Sequence, residues 1–321
     1  MKSCFLVLVL VLGANSLKAC GGPYDDTGCY HLFSFLNISN HDYLSYTTSF
    51  KFQSDYSGTL SKGNEGNIKL WKKYFNDPKW TETAIENLLE SYNAIQWKNR
   101  NTAKETAANR YFKFAHECSA NFKANNSWDY NKIIRKNFDG IAKISEVAYK
   151  NYQQEKNLQL KQRYAYQFIR ILRYSRQFKE AIKFFRDQIE DKYEKNEIYY
   201  YTLDQIGGCY YQTSDKEKAA YLFLSVFDKS IDRKKSAAIS YSFCTQDGFS
   251  GTKYFTKDTD HASRLALIYM RNFSDEVKGI EEFYKIKPED ERLELLYIRI
   301  FYDLERSIFP NIYGNWQQKL P

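Results

Sequence analysis

The sequence predicts a mostly α protein built from antiparallel helical hairpins, and three observations carry that prediction. Fourteen glycines and five prolines in 321 residues are about half of ordinary usage, so few points along the chain interrupt a helix. From residue 67 almost to the end, apolar residues recur three and four positions apart, the period of a helix with one buried face. Between 197 and 228 two such stripes face each other across a short polar turn.

The chain opens differently. Met1-Lys2-Ser3 is a short basic start, and Cys4 to Gly13 is an apolar run of signal-peptide length, too short to span a bilayer. Residues 1–19 therefore read as an export signal, and no later stretch is apolar enough to predict a second membrane helix. Its removal takes away Lys2 and Lys18 and lowers the net charge from +8 to +6. That mild basic bias suits contact with anionic glycans or membrane surfaces, while export argues against nucleic acid as a partner.

Residues 20–66 read as an irregular N-terminal segment and tether, in which the alternation over Tyr43–Phe52 suggests one short strand or hairpin. Residues 67–155 read as a helical N-terminal part. Its first helix, from Asn67, stops near Asn76-Asp77-Pro78, because the residue before a proline avoids the α region. Thr81 or the residue before it caps a second, with Ala84, Ile85, Leu88, Leu89 and Tyr92 on one face. Further helices are predicted over 104–123, 129–152, 157–175, 178–193, 197–212, 215–229, 232–243, 259–272, 275–286 and 289–306. The glycine-containing stretch 245–259 is the clearest internal loop.

Within 197–228, Leu203, Ile206, Gly207 and Tyr210 fall on one helical face; after Gln212-Thr213-Ser214-Asp215, Ala219, Phe223 and Val226 form the facing stripe. Gly207 and Ala219 lack bulk, so the two helices can approach closely there. This pattern resembles the tetratricopeptide repeat, in which a small residue, a tyrosine, an alanine and a phenylalanine occupy the places of Gly207, Tyr210, Ala219 and Phe223. The preceding hairpin is similar through Ala165, Phe168, Leu172, Ala181 and Phe185, with Ile169 where the small residue belongs. A fainter third unit comprises Leu267, Met270, Gly279 and Phe283. The resemblance implies that 156–321 form an α-solenoid of helical repeats whose concave groove binds peptides or proteins; it names a scaffold and no activity.

Leu17-Lys18-Ala19-Cys20 resembles a bacterial lipobox at Leu17, Ala19 and Cys20, and departs from it at Lys18. The resemblance implies a lipid on Cys20, with Gly21-Gly22-Pro23 as tether; Asp25-Asp26 resembles the acidic patch of Bacteroidota surface lipoproteins. Ordinary cleavage after Ala19 remains the alternative. If Cys20 is lipidated, Cys29, Cys118, Cys209 and Cys244 are enough for two disulfides; if not, Cys20 and Cys29 are close enough to pair. Buried free thiols are the other reading of Cys118 and Cys209.

Convergent chemistry is sparse. The histidines are His31, His41, His116 and His261, and no metalloprotease, nucleophile-elbow, phosphate-loop or EF-hand motif is present. His116-Glu117-Cys118 are adjacent on a predicted helix and diverge. Asp258, Asp260 and His261 end the long loop, where Thr259 or Asp260 serves equally as a helix cap. Asn37, Asn125 and Asn272 fit the glycosylation sequon. No catalytic residue, metal or cofactor is expected. Arg163, Tyr166, Arg170 and Arg173 share one helical face, a candidate surface for an acidic peptide or an anionic glycan, or else a solvated face paired with acids.

The functional expectation is an outer-membrane, cell-surface or otherwise periplasmic scaffold that binds a protein. A glycan- or nutrient-binding accessory lipoprotein is the alternative and would expose Trp71, Trp80, Trp97, Trp128 or Trp316 as platforms. A hydrolase would need His116 or His261 beside a carboxylate.

Overall fold

A computed structural model describes residues 63–98, 100–122, 138–245 and 276–290, with Tyr254, Leu293 and Tyr297. The export signal, Cys20, Cys29, the strand-like run 43–52, the sequons and the helix expected at 259–272 lie outside the described residues. So do nearly all of the 245–259 loop and the 289–306 helix. The described residues form α-helices and one 3-10 turn, with no strand among them. No helix among them is long and apolar enough to cross a membrane. The chain divides into two compact units, one of which is Ser61–Arg264.

That unit carries nine of the helices. α1 (Glu65–Phe75) and α2 (Glu82–Glu90) are followed by a 3-10 turn at Ala94–Trp97 and by α3 (Ala103–Phe122). Then come α4 (Phe138–Gln154), α5 (Leu158–Tyr174), α6 (Phe178–Gln188), α7 (Glu197–Gln212), α8 (Lys216–Lys229) and α9 (Lys234–Cys244). In the other unit the described helix is α10 (Glu276–Ile286), which buries Phe283 and leaves Val277 and Tyr284 exposed.

Local chemistry sets the ends. Of the two candidate caps for α2, Thr81 is the one used: its Oγ1 accepts from Ala84 N at 3.2 Å. α3 opens with a capping box: Glu105 N donates to Thr102 Oγ1 at 3.2 Å, and Thr102 N returns the bond to Glu105 Oε2 at 3.1 Å. Asn157 and Asn196 cap α5 and α7 through their side-chain carbonyls. α1 ends on Asn76 in the left-handed region, φ 49°, just before Asp77-Pro78. The helix expected to reach 193 ends at Gln188, and Ile189–Lys192 turn the chain back instead.

α5 and α7 end in the same turn. Arg176 (φ 64°) and Ser214 (φ 67°), thirty-eight residues apart, are left-handed. Gln177 N bonds Leu172 O at 2.8 Å, and Asp215 N bonds Tyr210 O at 3.0 Å, the six-to-one bond of a Schellman motif. α5 packs on α6, and α7 on α8, as antiparallel hairpins; α5 also packs on α7, α6 on α7, α8 on α9, and α7 on α9. α4 and α3 extend the packing on the other side of α5, and α1 lies against α7.

Apolar burial follows that order. Ala165, Ile169, Leu172, Ala181 and Phe185 are buried, as are Leu203, Ile206, Ala219, Phe223 and Val226. Gly207 faces Phe223 closely across the α7–α8 hairpin: a Cβ there would lie 2.7 Å from Phe223 Cε1. Under α1, Trp71 stacks on Phe112 at 4.5 Å, and Phe75 stacks on Trp80 at 4.0 Å.

Candidate functional site

The four residues expected to share a surface do lie on the α5 side that meets α3 and α7, but the structure does not leave them all open. Arg163 is 3% exposed. Its guanidinium lies 3.9 Å over the Trp71 ring, and Nη1 donates to Asn67 Oδ1 at 2.6 Å, so α1 covers it. Burial pulls its pKa down to about 10. Tyr166 is buried as well, packed with Ile198, Tyr201 and Leu70. The reading of all four as one exposed face is therefore corrected: the first turn of that face belongs to the interior.

The second half differs. Arg170, partly exposed, reaches toward α3 and donates to Ser119 Oγ at 3.2 Å. Arg173, also partly exposed, reaches toward α7, donates to Gln205 Oε1 at 2.7 Å and lies against Gly208. The two arginines are one turn apart on α5 and splay to opposite neighbours.

Four further residues complete the surface, and the sequence reading missed them. Glu197, at the start of α7, accepts from Ile231 N at 3.0 Å, Asp232 N at 3.1 Å and the Ser230 hydroxyl. Burial and the nearby Asp232 hold its carboxyl above the usual range, against the pull of those three donors. Asp232 accepts from Gly66 N and Asn67 N, each at 2.9 Å, and from the Tyr201 hydroxyl at 2.7 Å. A carboxylate thus sits at the N-terminus of α1, where the helix dipole favours it. Arg233 lies 4.1 Å over the Tyr201 ring and donates from Nη2 to the Tyr166 hydroxyl at 3.4 Å. Asp204, buried beside Arg233 and Arg173, accepts from Ser236 Oγ at 3.1 Å; burial raises its pKa and the two arginines oppose that.

The signal was in the sequence: Glu197, Tyr201, Asp204, Gln205 and Gly208 form a second stripe on α7 at helical spacing. The apolar stripe Leu203, Ile206, Tyr210 drew attention to the other side. α7 is buried nearly all round, so a polar stripe on it has to face something polar.

Other expected chemistry disperses. His116 Nε2 lies 2.8 Å from Leu88 O, and no carboxylate partners it among the described residues. Cys118, Cys209 and Cys244 are buried free thiols, so the two-disulfide arrangement that would use all three is corrected. Burial pushes the Cys118 and Cys209 thiols up to about 12 and that of Cys244 to about 11. Trp71, Trp80 and Trp97 are buried; Trp128, Trp316, Asp258, Asp260 and His261 lie outside the described residues. Among the described residues no group of three metal-binding side chains occurs.

No protein-family model, curated protein or solved structure matches this chain.

Proposed function

We propose that this chain is an exported protein-binding scaffold, a tetratricopeptide-like array of helical hairpins held at a bacterial membrane through Cys20. The observation that carries the reading is the order of packing. Each first helix touches its own hairpin partner and the helix that follows the hairpin, as α5 does with α6 and α7, and α7 with α8 and α9. The shared turns at Arg176 and Ser214, and the Gly207 to Phe223 approach, support the same unit. Stacking of that kind gathers the first helices on one side, where the partly exposed Arg170 and Arg173 of α5 are left to meet a ligand. Burial of Trp71, Trp80 and Trp97 withdraws three of the aromatic platforms a glycan-binding rival would use.

The test is cross-linked capture from the native envelope with the full chain, with mass analysis of its mature N-terminus. An acylated N-terminal Cys20 is expected, with one protein partner retained. Ser119→Trp, which fills the inner side of α3, is expected to abolish capture; Lys183→Trp, on the exposed side of α6, is expected to keep it. Equal capture by both variants would overturn the binding reading, and an unmodified Cys20 would overturn the anchor.

A further inference from the structure

We infer that the open half of the inner face receives a carboxylate-bearing segment of another protein, with Arg170, Arg173 and Arg233 as the cations that bind it. This rests on the protein-binding reading and supplies the chemistry of the ligand.

The face is divided by α1. In the covered half, polypeptide of this chain is already held in the manner of a ligand. Asp232 takes the amides of Gly66 and Asn67, Arg163 takes the Asn67 side chain, and the Tyr201 hydroxyl reaches Gly63 O at 3.3 Å. Gly66 fits because a Cβ there would lie 2.8 Å from Glu197 Cγ. A surface that grips backbone amides and a side-chain amide is complementary to peptide, which favours a protein ligand over a glycan.

In the open half and at its border with α1, three guanidinium groups meet neutral partners. Arg170 has Ser119 Oγ and, at 3.5 Å, Gln167 Oε1; Arg173 has Gln205 Oε1; Arg233 has the Tyr166 hydroxyl and the Tyr201 ring. Among the described residues no carboxylate lies within ion-pair distance of any of the three. Arg233 Nε is buried without a hydrogen-bond partner there. Asp204, the acid between Arg173 and Arg233, is 3% exposed and spends its oxygens on Ser236. Asp232, the other acid beside Arg233, is taken up by the Gly66 and Asn67 amides and the Tyr201 hydroxyl, and three partly exposed cations against two hydrogen-bonded acids leave an excess of positive charge. A guanidinium fork matches a carboxylate in two parallel bonds, and such pairs are stronger than bonds to neutral acceptors. Arg163 takes no part, because Trp71 covers it. The ligand therefore engages the C-terminal half of α5 and stops where α1 begins.

The experiment titrates the full chain with three labelled probes: a peptide alternating glutamate and glycine, the same peptide with glutamine, and an oligogalacturonate. The glutamate peptide is expected to bind, more weakly as salt rises. Arg170→Gln with Arg173→Gln is expected to weaken it about ten-fold or more. Lys183→Gln with Arg186→Gln, an equal charge change on the exposed side of α6, is expected to leave it unchanged. Arg173→Lys keeps the charge without the fork and is expected to fall between. If the double variant melts early, the glutamate and glutamine pair on wild type, together with Arg173→Lys, decide the matter. Equal binding of the two peptides, indifference to the arginines, or preference for the oligogalacturonate overturns the inference. Each of those results leaves the capture experiment to stand or fall by itself, since a partner can be retained there without any carboxylate dependence.

Discussion

Gly207 and Gly208 are neighbours on α7 with different reasons to lack a side chain. A Cβ on Gly207 meets the ring of Phe223, itself 3% exposed and without room to move. A Cβ on Gly208 comes within 2.5 Å of Arg173 Nε, the far end of a flexible chain that is partly exposed. Alanine gains roughly 0.5–1 kcal/mol over glycine inside a helix, and overpacking a core costs about 1–3 kcal/mol. The second effect wins at Gly207, so Gly207→Ala is expected to lower the urea midpoint of unfolding. At Gly208 the arginine swings away, and Gly208→Ala is expected to be close to neutral in stability while breaking the Arg173 to Gln205 bond. Equal losses at the two positions would show that Arg173 is held in place as firmly as Phe223.

The two hairpin turns are the same structure with different residues at one position. Gln177 and Asp215 both follow a left-handed residue and both precede a helix, with φ and ψ of −83° and 59° against −92° and 69°. Asp215 accepts from Lys218 N at 3.0 Å, whereas Gln177 makes no side-chain cap. Its longer side chain places the oxygen too far out to close the same ring. Gln177→Asp is therefore expected to stabilise the protein by about 1 kcal/mol, the usual worth of an N-cap, read as a raised midpoint in chemical denaturation. A loss would mean that α6 begins differently from α8. Such elements were largely legible beforehand: the span 197–212 coincides with α7, and Thr81 caps α2. Periodicity and caps are local, and so readable. The end of α6 was not readable, because Ile189–Asn196 carry no proline or glycine, and the chain reverses there to pack α7. The arginine face was legible as a spacing and not as a surface. What covers Arg163 is Asn67 and Trp71, over ninety residues upstream, and no pattern on one helix records that.

Across the Ser61–Arg264 unit, α1 changes how the array should unfold. Stacked hairpins touch only their neighbours, so an array of them can open from one end. Here α1 ties together helices that are not consecutive: Trp71 packs on Phe112 of α3, Arg163 of α5 closes over it, and Asp232, joined to α7 through Glu197 and Tyr201, holds its N-terminus. Opening α3 alone then exposes Trp71, and truncating so large a buried side chain costs roughly 3–5 kcal/mol. The buried thiols Cys118 on α3 and Cys209 on α7 report the two regions, because each is shielded until its helix opens. In wild type, alkylation of both is expected to rise at one common denaturant concentration. In Trp71→Ala the strap is loosened at α3 while Asp232 still holds its other end, so Cys118 is expected to label at lower denaturant than Cys209. If the two thiols already separate in wild type, α1 is a passenger on the array, and the helices fold as a chain of neighbours.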